Sequence, residues 1–361
     1  MSDERYLVTG ARGMLGQAVT AELLARGCVV APTDLPETDL ADEAAARRLF
    51  GAVRPTRVIH CAAYTAVDRA ETDPETCRRV NAEAPGIVAR ACARAGAAML
   101  FVSTDFVFDG EPPAPPGRPS EGATPHPAGA SVPPNLGSEA ARRPYREDDE
   151  PHPLSIYGQT KLAGEQAVAA ALERHQIVRT AWLYGPGKRN FVSAMLERLW
   201  RGERVRVVDD QTGSPTYTPD LARALADLVA LCGRGAADVS GARGSDTAVV
   251  AGVCGRDIVG VAGIRGRGVN DAAEAATGVF HCVNAGQTTW CGLTRRAAEL
   301  AGLDPNAVEA IPTSGYPTPA RRPAWSVLDC PRVRSLGMTP MRPWEEALAE
   351  YVTLLAREHR G

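Results

Sequence analysis

The sequence lacks the marks of several protein classes. No two of its nine cysteines form a CxxC pair, and positions 28, 61, 77, 92, 232, 254, 282, 291 and 330 offer neither a zinc spacing nor a disulfide framework. They read as reduced core thiols. His60 beside Cys61 falls at the end of an expected strand and is not read as a metal ligand. No run of about 18 apolar residues suggests a membrane span. The first strand starts within ten residues of Met1, leaving no room for a signal peptide, so a cytoplasmic protein is expected. No basic stripe appears in a chain of formal net charge −3, which argues against nucleic acid and anionic membranes as partners. What remains is 361 residues, 44% of them hydrophobic, enough for two domains or one large domain with an appendage.

Residues 5–9, RYLVT, make a short apolar strand that runs into GARGMLG and then into a helical pattern. A glycine turn between a first strand and a helix lets backbone approach a pyrophosphate, and the helix N-terminus adds N–H groups and partial positive charge. Gly10, Arg12, Gly13, Met14, Leu15 and Gly16 are therefore candidate dinucleotide contacts. The next strand, CVVAPTD, ends at Asp34, about twenty residues beyond the turn, where an acid accepts hydrogen bonds from a ribose. That favours NADH, whereas Arg12 inside the turn suits the 2′-phosphate of NADPH, so both cofactors stay open. Asp39 and Leu40 follow in a place suited to the adenine.

Strand and helix then alternate: 57–64, a helix around 74–95, 98–105, a helix from 157, and 176–185. This α/β rhythm predicts a Rossmann-type, doubly wound parallel sheet whose crevice opens at the carboxyl ends of the strands. Ala62, Ala63 and Thr65 end one strand, Ser103, Thr104 and Asp105 another, and Trp182 a third. In 155–165, SIYGQTKLAGE, Tyr157 and Lys161 stand four residues apart, on one helical face. A cation there favours the phenolate, so the phenol is expected below its ordinary value of about 10, as a general acid working near neutral pH requires.

Two stretches break the rhythm. Residues 111–153 carry twelve of the 28 prolines and read as an insertion, either lid or solvated loop, beside the crevice. Residues 233–278 hold eleven glycines and no proline, and read as a second, poorly ordered insertion. Beyond residue 186 the pattern weakens. A helix near 191–202, a short strand, a polar turn, another helix, the segment 280–286, a helix at 289–301 and an amphipathic C-terminal helix suggest a smaller substrate-binding part. The expected division is 1–186, with an insertion at about 111–143, and 187–361, with an insertion at about 233–278.

Seven segments in order, GARGMLG, HCAAYTAVDRAE, STDFVFDG, YGQTK, RTAWLYG, DDQTGSPTYTPDLA and RRPAWSVLDC, resemble the dTDP-4-dehydrorhamnose reductase family of extended short-chain dehydrogenase/reductases. The resemblance implies NADPH- or NADH-dependent reduction of the C4 ketone of dTDP-4-dehydro-L-rhamnose to dTDP-L-rhamnose. It implies that Tyr157 protonates the developing alkoxide, Lys161 holds the nicotinamide ribose, Thr104 hydrogen-bonds the reacting oxygen, and Asp105 and Trp182 line the sugar pocket. Asn190 and Arg321 are implied in holding the nucleotide diphosphate, where an Arg suits phosphate. The family usually has Tyr where this chain has Phe106. Some relatives dimerise through magnesium, for which no site is evident here, so monomer and homodimer are both open. Two other readings share the fold: a nucleotide-sugar epimerase or dehydratase that recycles a held NAD⁺, and a non-catalytic regulatory subunit. The set Thr104, Tyr157 and Lys161 argues against the latter, since binding alone does not need it.

Overall fold

The computed structural model describes residues 4–111, 142–232 and 276–360. The two predicted insertions lie almost wholly outside the described residues.

The centre is a parallel sheet of six strands: β1 (Arg5–Thr9), β2 (Val29–Thr33), β3 (Arg57–His60), β4 (Ala98–Thr104), β5 (His175–Thr180) and β10 (Gly278–His281), in the order β10-β5-β4-β3-β1-β2. Successive side chains of a strand point to opposite faces. In β1, Tyr6 and Val8 pack against Leu15, Val19 and Leu23 of α1 (Met14–Ala25) and Leu221, Leu225 and Leu228 of α8 (Thr218–Leu231). Leu7 packs on the other face with Phe50 of α2 (Glu43–Val53), Val88 and Cys92 of α5 (Ala84–Ala95) and Val168 of α6 (Ile156–Ala171). With both faces covered, the strands read as nearly continuous apolar runs, as parallel sheets do. Each fully buried Leu or Val contributes about 1.5–3 kcal/mol of transfer free energy.

The smaller unit packs α7 (Phe191–Trp200), α9 (Trp290–Leu300) and α11 (Trp344–Arg360) with the strand pair β7 (Val205–Val208) and β12 (Val308–Ile311) around Leu196, Val207, Leu293 and Leu348. Two elements from beyond residue 186 pack on the larger unit. Helix α8 lies along α1, and β10 extends the central sheet beside β5.

Several elements differ from expectation. The strand expected over 57–64 stops at His60, after which Cys61–Thr65 runs along the crevice. The segment 176–185 is two strands, β5 and β6 (Leu183–Tyr184), because Trp182 between them takes a left-handed conformation with φ +47°. The helix expected at 74–95 contains a π-helical turn, Arg79–Glu83, a form frequent at functional sites, and Val80 in that turn and Ala84 after it reach the crevice. Helix α2 was not anticipated: only Ala46 and Phe50 of its residues are buried, too few to mark a helical period. At the switch point, β1 is flanked by β2 and β3, so the chain winds outward in both directions and leaves a crevice at the carboxyl ends.

Candidate active site

The crevice is a single cleft of about 610 Å³. Gly10, Gly13, Met14, Leu15 and Gly16 of the glycine turn line it, with Asp34, Asp39, Leu40, Ala62, Ala63, Thr65, Ser103, Thr104, Asp105, Tyr157, Lys161 and Trp182. Residues from six places in the sequence thus converge on one volume.

The turn is built for close backbone approach. Gly10 sits at φ +63°, and a Cβ there would lie 2.6 Å from the Ala62 nitrogen. A Cβ on Gly16 would lie 2.1 Å from the Gly10 carbonyl oxygen and 2.8 Å from the Ala11 Cα. Gly13 caps α1 without a side-chain hydrogen bond, so the first N–H groups of the helix face the cleft for an anionic oxygen. These features fit a dinucleotide pyrophosphate.

Asp34 accepts at both oxygens, from the Arg12 and Leu35 N–H groups, each at 2.8 Å. Arg12 itself does not line the cleft. Its guanidinium donates to the Leu35 carbonyl at 2.7 Å and pairs with the exposed Glu37 at the rim. Two further residues expected at the site stand apart from the cleft. The Asn190 amide donates to the Gly185 and Lys188 carbonyls and to the Tyr351 hydroxyl, while its oxygen caps α7, so its groups are committed to structure. Arg321 is exposed and does not line the cleft. Besides Lys161, the cations lining the cleft are Lys188 and Arg189, just after a Gly-Pro-Gly turn that the sequence pattern did not flag, and Arg189 is paired with Glu197 at 2.9 Å. Trp290 was also missed. Its ring stacks on Trp182 with centroids 3.6 Å apart and planes 5° from parallel.

Helix α6 places the chemistry. Ser155 caps it, accepting from the Gly158 N–H at 3.2 Å, and this sets Tyr157 in the first turn over the end of β4. Phe106 meets Tyr157 edge to face with ring centroids 5.5 Å apart. The expected lowering of the Tyr157 phenol is not observed. Burial raises it well above its ordinary value, the Thr104 hydroxyl pulling it back and Asp105 pushing it further. The reason is where the cation points: Lys161 Nζ donates to the Val102 carbonyl at 2.7 Å and lies 4.0 Å from the Phe101 ring centre. Burial also brings the Lys161 ammonium down to about 7, with Glu165 foremost among the groups opposing it. Asp105 is held up at about 6 by burial, against hydrogen bonds from Ser326 and Thr104, and its Oδ2 is buried without a partner.

A buried, protonated phenol beside a hydroxyl is chemically able to give a proton to an oxygen placed at the cleft floor. Among the described residues, no cluster of three or more His, Cys, Asp or Glu side chains is arranged to hold a metal ion, and no helix is long and apolar enough to cross a membrane.

The family model described as the RmlD substrate binding domain matches residues 4–240 and 263–357. A dTDP-4-dehydrorhamnose reductase of Streptomyces griseus is 38% identical over 347 residues, covering 96% of this chain and 92% of the relative. A dTDP-4-keto-6-deoxy-D-glucose reductase of Streptomyces niveus is 32% identical, with 98% of each covered. The crystal structure of the Bacillus anthracis dTDP-4-dehydrorhamnose reductase in complex with NADP superposes with a TM-score of 0.74 at 28% identity, over 98% of this chain and 100% of that one. The match over nearly the whole length, together with the glycine turn and the Thr104, Tyr157 and Lys161 constellation in one cleft, shows that this chain belongs to the dTDP-4-dehydrorhamnose reductase family.

Proposed function

We propose that the chain reduces the C4 ketone of dTDP-4-dehydro-L-rhamnose to the alcohol of dTDP-L-rhamnose, using NADPH or NADH. One observation carries the reading: the glycine turn and the Thr104, Tyr157 and Lys161 side chains open onto the same cleft, in a chain whose relatives are named for this reduction. The bound nicotinamide would supply the hydride. Tyr157 donates its proton to the C4 oxygen as charge develops there, and the Thr104 hydroxyl hydrogen-bonds the same oxygen. Oriented donors of this kind favour the transition state because the charge they meet is largest there. Lys161 spends one of its three N–H donors on Val102, which leaves two for the nicotinamide ribose hydroxyls. Met14, Leu15 and the N–H groups of the glycine turn take the pyrophosphate, and Asp34, Asp39 and Leu40 the adenosine. Asp105 and the Trp182–Trp290 stack form the sugar and nucleotide wall, with Lys188 and Arg189 as phosphate partners in place of Asn190 and Arg321. The proposal includes a cytoplasmic location, where nucleotide sugars and nicotinamides are at hand.

The Streptomyces niveus relative, named for a different dTDP-4-keto sugar, favours a second reading in which the same chemistry acts on another dTDP-4-keto-6-deoxyhexose. Absorbance of NADPH and of NADH, followed with dTDP-4-dehydro-L-rhamnose generated in situ, separates the two. Stoichiometric oxidation with dTDP-rhamnose formed establishes the first reading. Oxidation only with a dTDP-4-keto-6-deoxyglucose substrate establishes the second, and no oxidation with either refutes both.

A further inference from the structure

Two non-glycine residues among those described take a positive φ, Arg54 and Trp182. Arg54 ends α2 as its left-handed cap, an ordinary place for this conformation. Trp182 caps nothing: it stands between β5 and β6 at φ +47° and lines the cleft. A bulky residue seldom adopts this region, and it persists there only where its surroundings over-determine it.

What holds Trp182 comes largely from one short ladder. Strand β8 (Thr212–Gly213) pairs antiparallel with β11 (Thr288–Thr289), Thr288 opposite Gly213 and Thr289 opposite Thr212. Gly213 lies so close to the Trp182 indole that a Cβ there would come within 2.4–2.6 Å of three of its ring atoms. Trp290 follows Thr289 directly as the first residue of α9, whose start is fixed by the Thr289 hydroxyl accepting from the Gly292 N–H at 2.9 Å. Its indole lies flat on that of Trp182, with 3.6 Å between centroids, and Phe191 of α7 leans on it in turn, with centroids 4.5 Å apart and planes 59° from parallel. The Trp182 backbone adds one bond, its carbonyl accepting from the Thr216 N–H at 3.2 Å. Both partners of the ladder thus bear on the same ring. Relaxing the Trp182 backbone to an ordinary conformation would swing that ring off Trp290.

We propose that Trp290 is a positioning residue of the reaction, acting through Trp182: its indole holds Trp182 in the left-handed conformation that presents this ring as a fixed wall to the sugar nucleotide. The proposal rests on the reductase reading above, in which Trp182 bounds the sugar. Trp290 supplies neither proton nor hydride. A wall set in advance spares the ordering of a mobile side chain when the substrate arrives, so its loss falls on the sugar nucleotide and not on the cofactor.

The test is a double-mutant cycle on NAD(P)H-dependent reduction: kcat and KM for the dTDP-4-keto sugar, with NAD(P)H affinity, in wild type, Trp182→Leu, Trp290→Leu and the double variant, and in Trp290→Phe as the conservative change. Leu keeps part of the volume and has no ring to stack. Circular dichroism reports folding, and Met, which is flexible and fills irregular space, replaces Leu throughout the cycle if a Leu variant fails to fold. The expected result is a fall in kcat/KM of about 2- to 10-fold in Trp290→Leu with NAD(P)H affinity unchanged, and a return most of the way in Trp290→Phe. The double variant is expected to be no worse than Trp182→Leu, because with that indole gone Trp290 has nothing left to hold. Losses that add in the double variant overturn the proposal, since Trp290 then acts independently of Trp182, and so does an unchanged kcat/KM in folded Trp290→Leu. Failure of wild type to reduce any dTDP-4-keto sugar refutes the reductase reading instead.

Discussion

Lys161 Nζ donates to the Val102 carbonyl at 2.7 Å, while Tyr157, one turn earlier on the same helix, shares its hydroxyl with Thr104. The two side chains share a face but not a partner. Burial, not the neighbouring cation, dominates the phenol, so Tyr157 is a fully protonated donor across the physiological range.

Tyr157→Phe removes that donor and leaves the cleft shape nearly unchanged. Turnover falls by about 10²–10⁴-fold, the usual share of general acid catalysis, while NAD(P)H affinity holds within a few-fold. Steady-state kinetics and cofactor fluorescence titration check it. Near-normal turnover removes Tyr157 from the mechanism.

Gly16→Ala sets a methyl against two backbone groups, at 2.1 Å and 2.8 Å, that cannot swing aside. Overpacking of this kind costs about 1–3 kcal/mol, and the strain falls on the turn that receives the pyrophosphate. NAD(P)H binding weakens roughly tenfold to a hundredfold by calorimetry. Unchanged affinity would place the cofactor elsewhere.

Gly213→Ala acts on the other wall. Its Cβ would lie 2.4 Å from the Trp182 indole, which must then tilt off Trp290. A stacked aromatic pair contributes about 0.5–1.5 kcal/mol, so kcat/KM for the nucleotide sugar drops about 2- to 10-fold with cofactor binding preserved. An equal loss of cofactor affinity would show that the stack serves the nicotinamide side instead.

Glu37→Gln releases the Arg12 guanidinium at the rim of the adenosine end. Both side chains are more than half exposed, so solvent screens the pair and it is easily broken. NADPH gains about 1.5- to 5-fold over NADH in kcat/KM, because the freed cation reaches a 2′-phosphate that only NADPH carries. An unaltered ratio would show that Arg12 has no part in cofactor preference.

Asp105, 2% exposed and held at about 6, makes stability depend on pH. Its folded value lies above the unfolded one of about 3.9, so its contribution is fully present below pH ~4 and is lost as pH rises through about 6. Two units correspond to roughly 3 kcal/mol. Asp105→Asn, neutral at every pH, is therefore expected to raise the melting temperature at pH 8 and to change it much less near pH 4. A gain equal at both pH values would contradict the assignment.

The sheet and the cleft were legible in the sequence because their signals are local. A strand, a glycine turn and a helix are consecutive, and Tyr157 and Lys161 share a helical face by spacing alone. What was not legible depends on partners from elsewhere in the chain. Arg12 meets Glu37, Asn190 is claimed by Gly185 and Tyr351, and Lys161 turns to a carbonyl whose direction is set by β4. Trp290 gave no signal because only the fold brings it to within 3.6 Å of Trp182 from more than a hundred residues away. The left-handed Trp182 shows the same limit, since nothing in RTAWLYG announces a break between two strands.

The place of β10 in the chain has a consequence for biosynthesis. Its strand pairs with β5, yet the two are separated by nearly a hundred residues. At a ribosomal rate of about 5–20 residues per second, the outer edge of β5 emerges several seconds before its neighbour exists. An open strand edge is a template for other chains. The nascent chain therefore passes through an interval in which five strands are complete and the sixth place invites a stranger, and a chaperone holding β5 during that interval would protect the yield of folded protein.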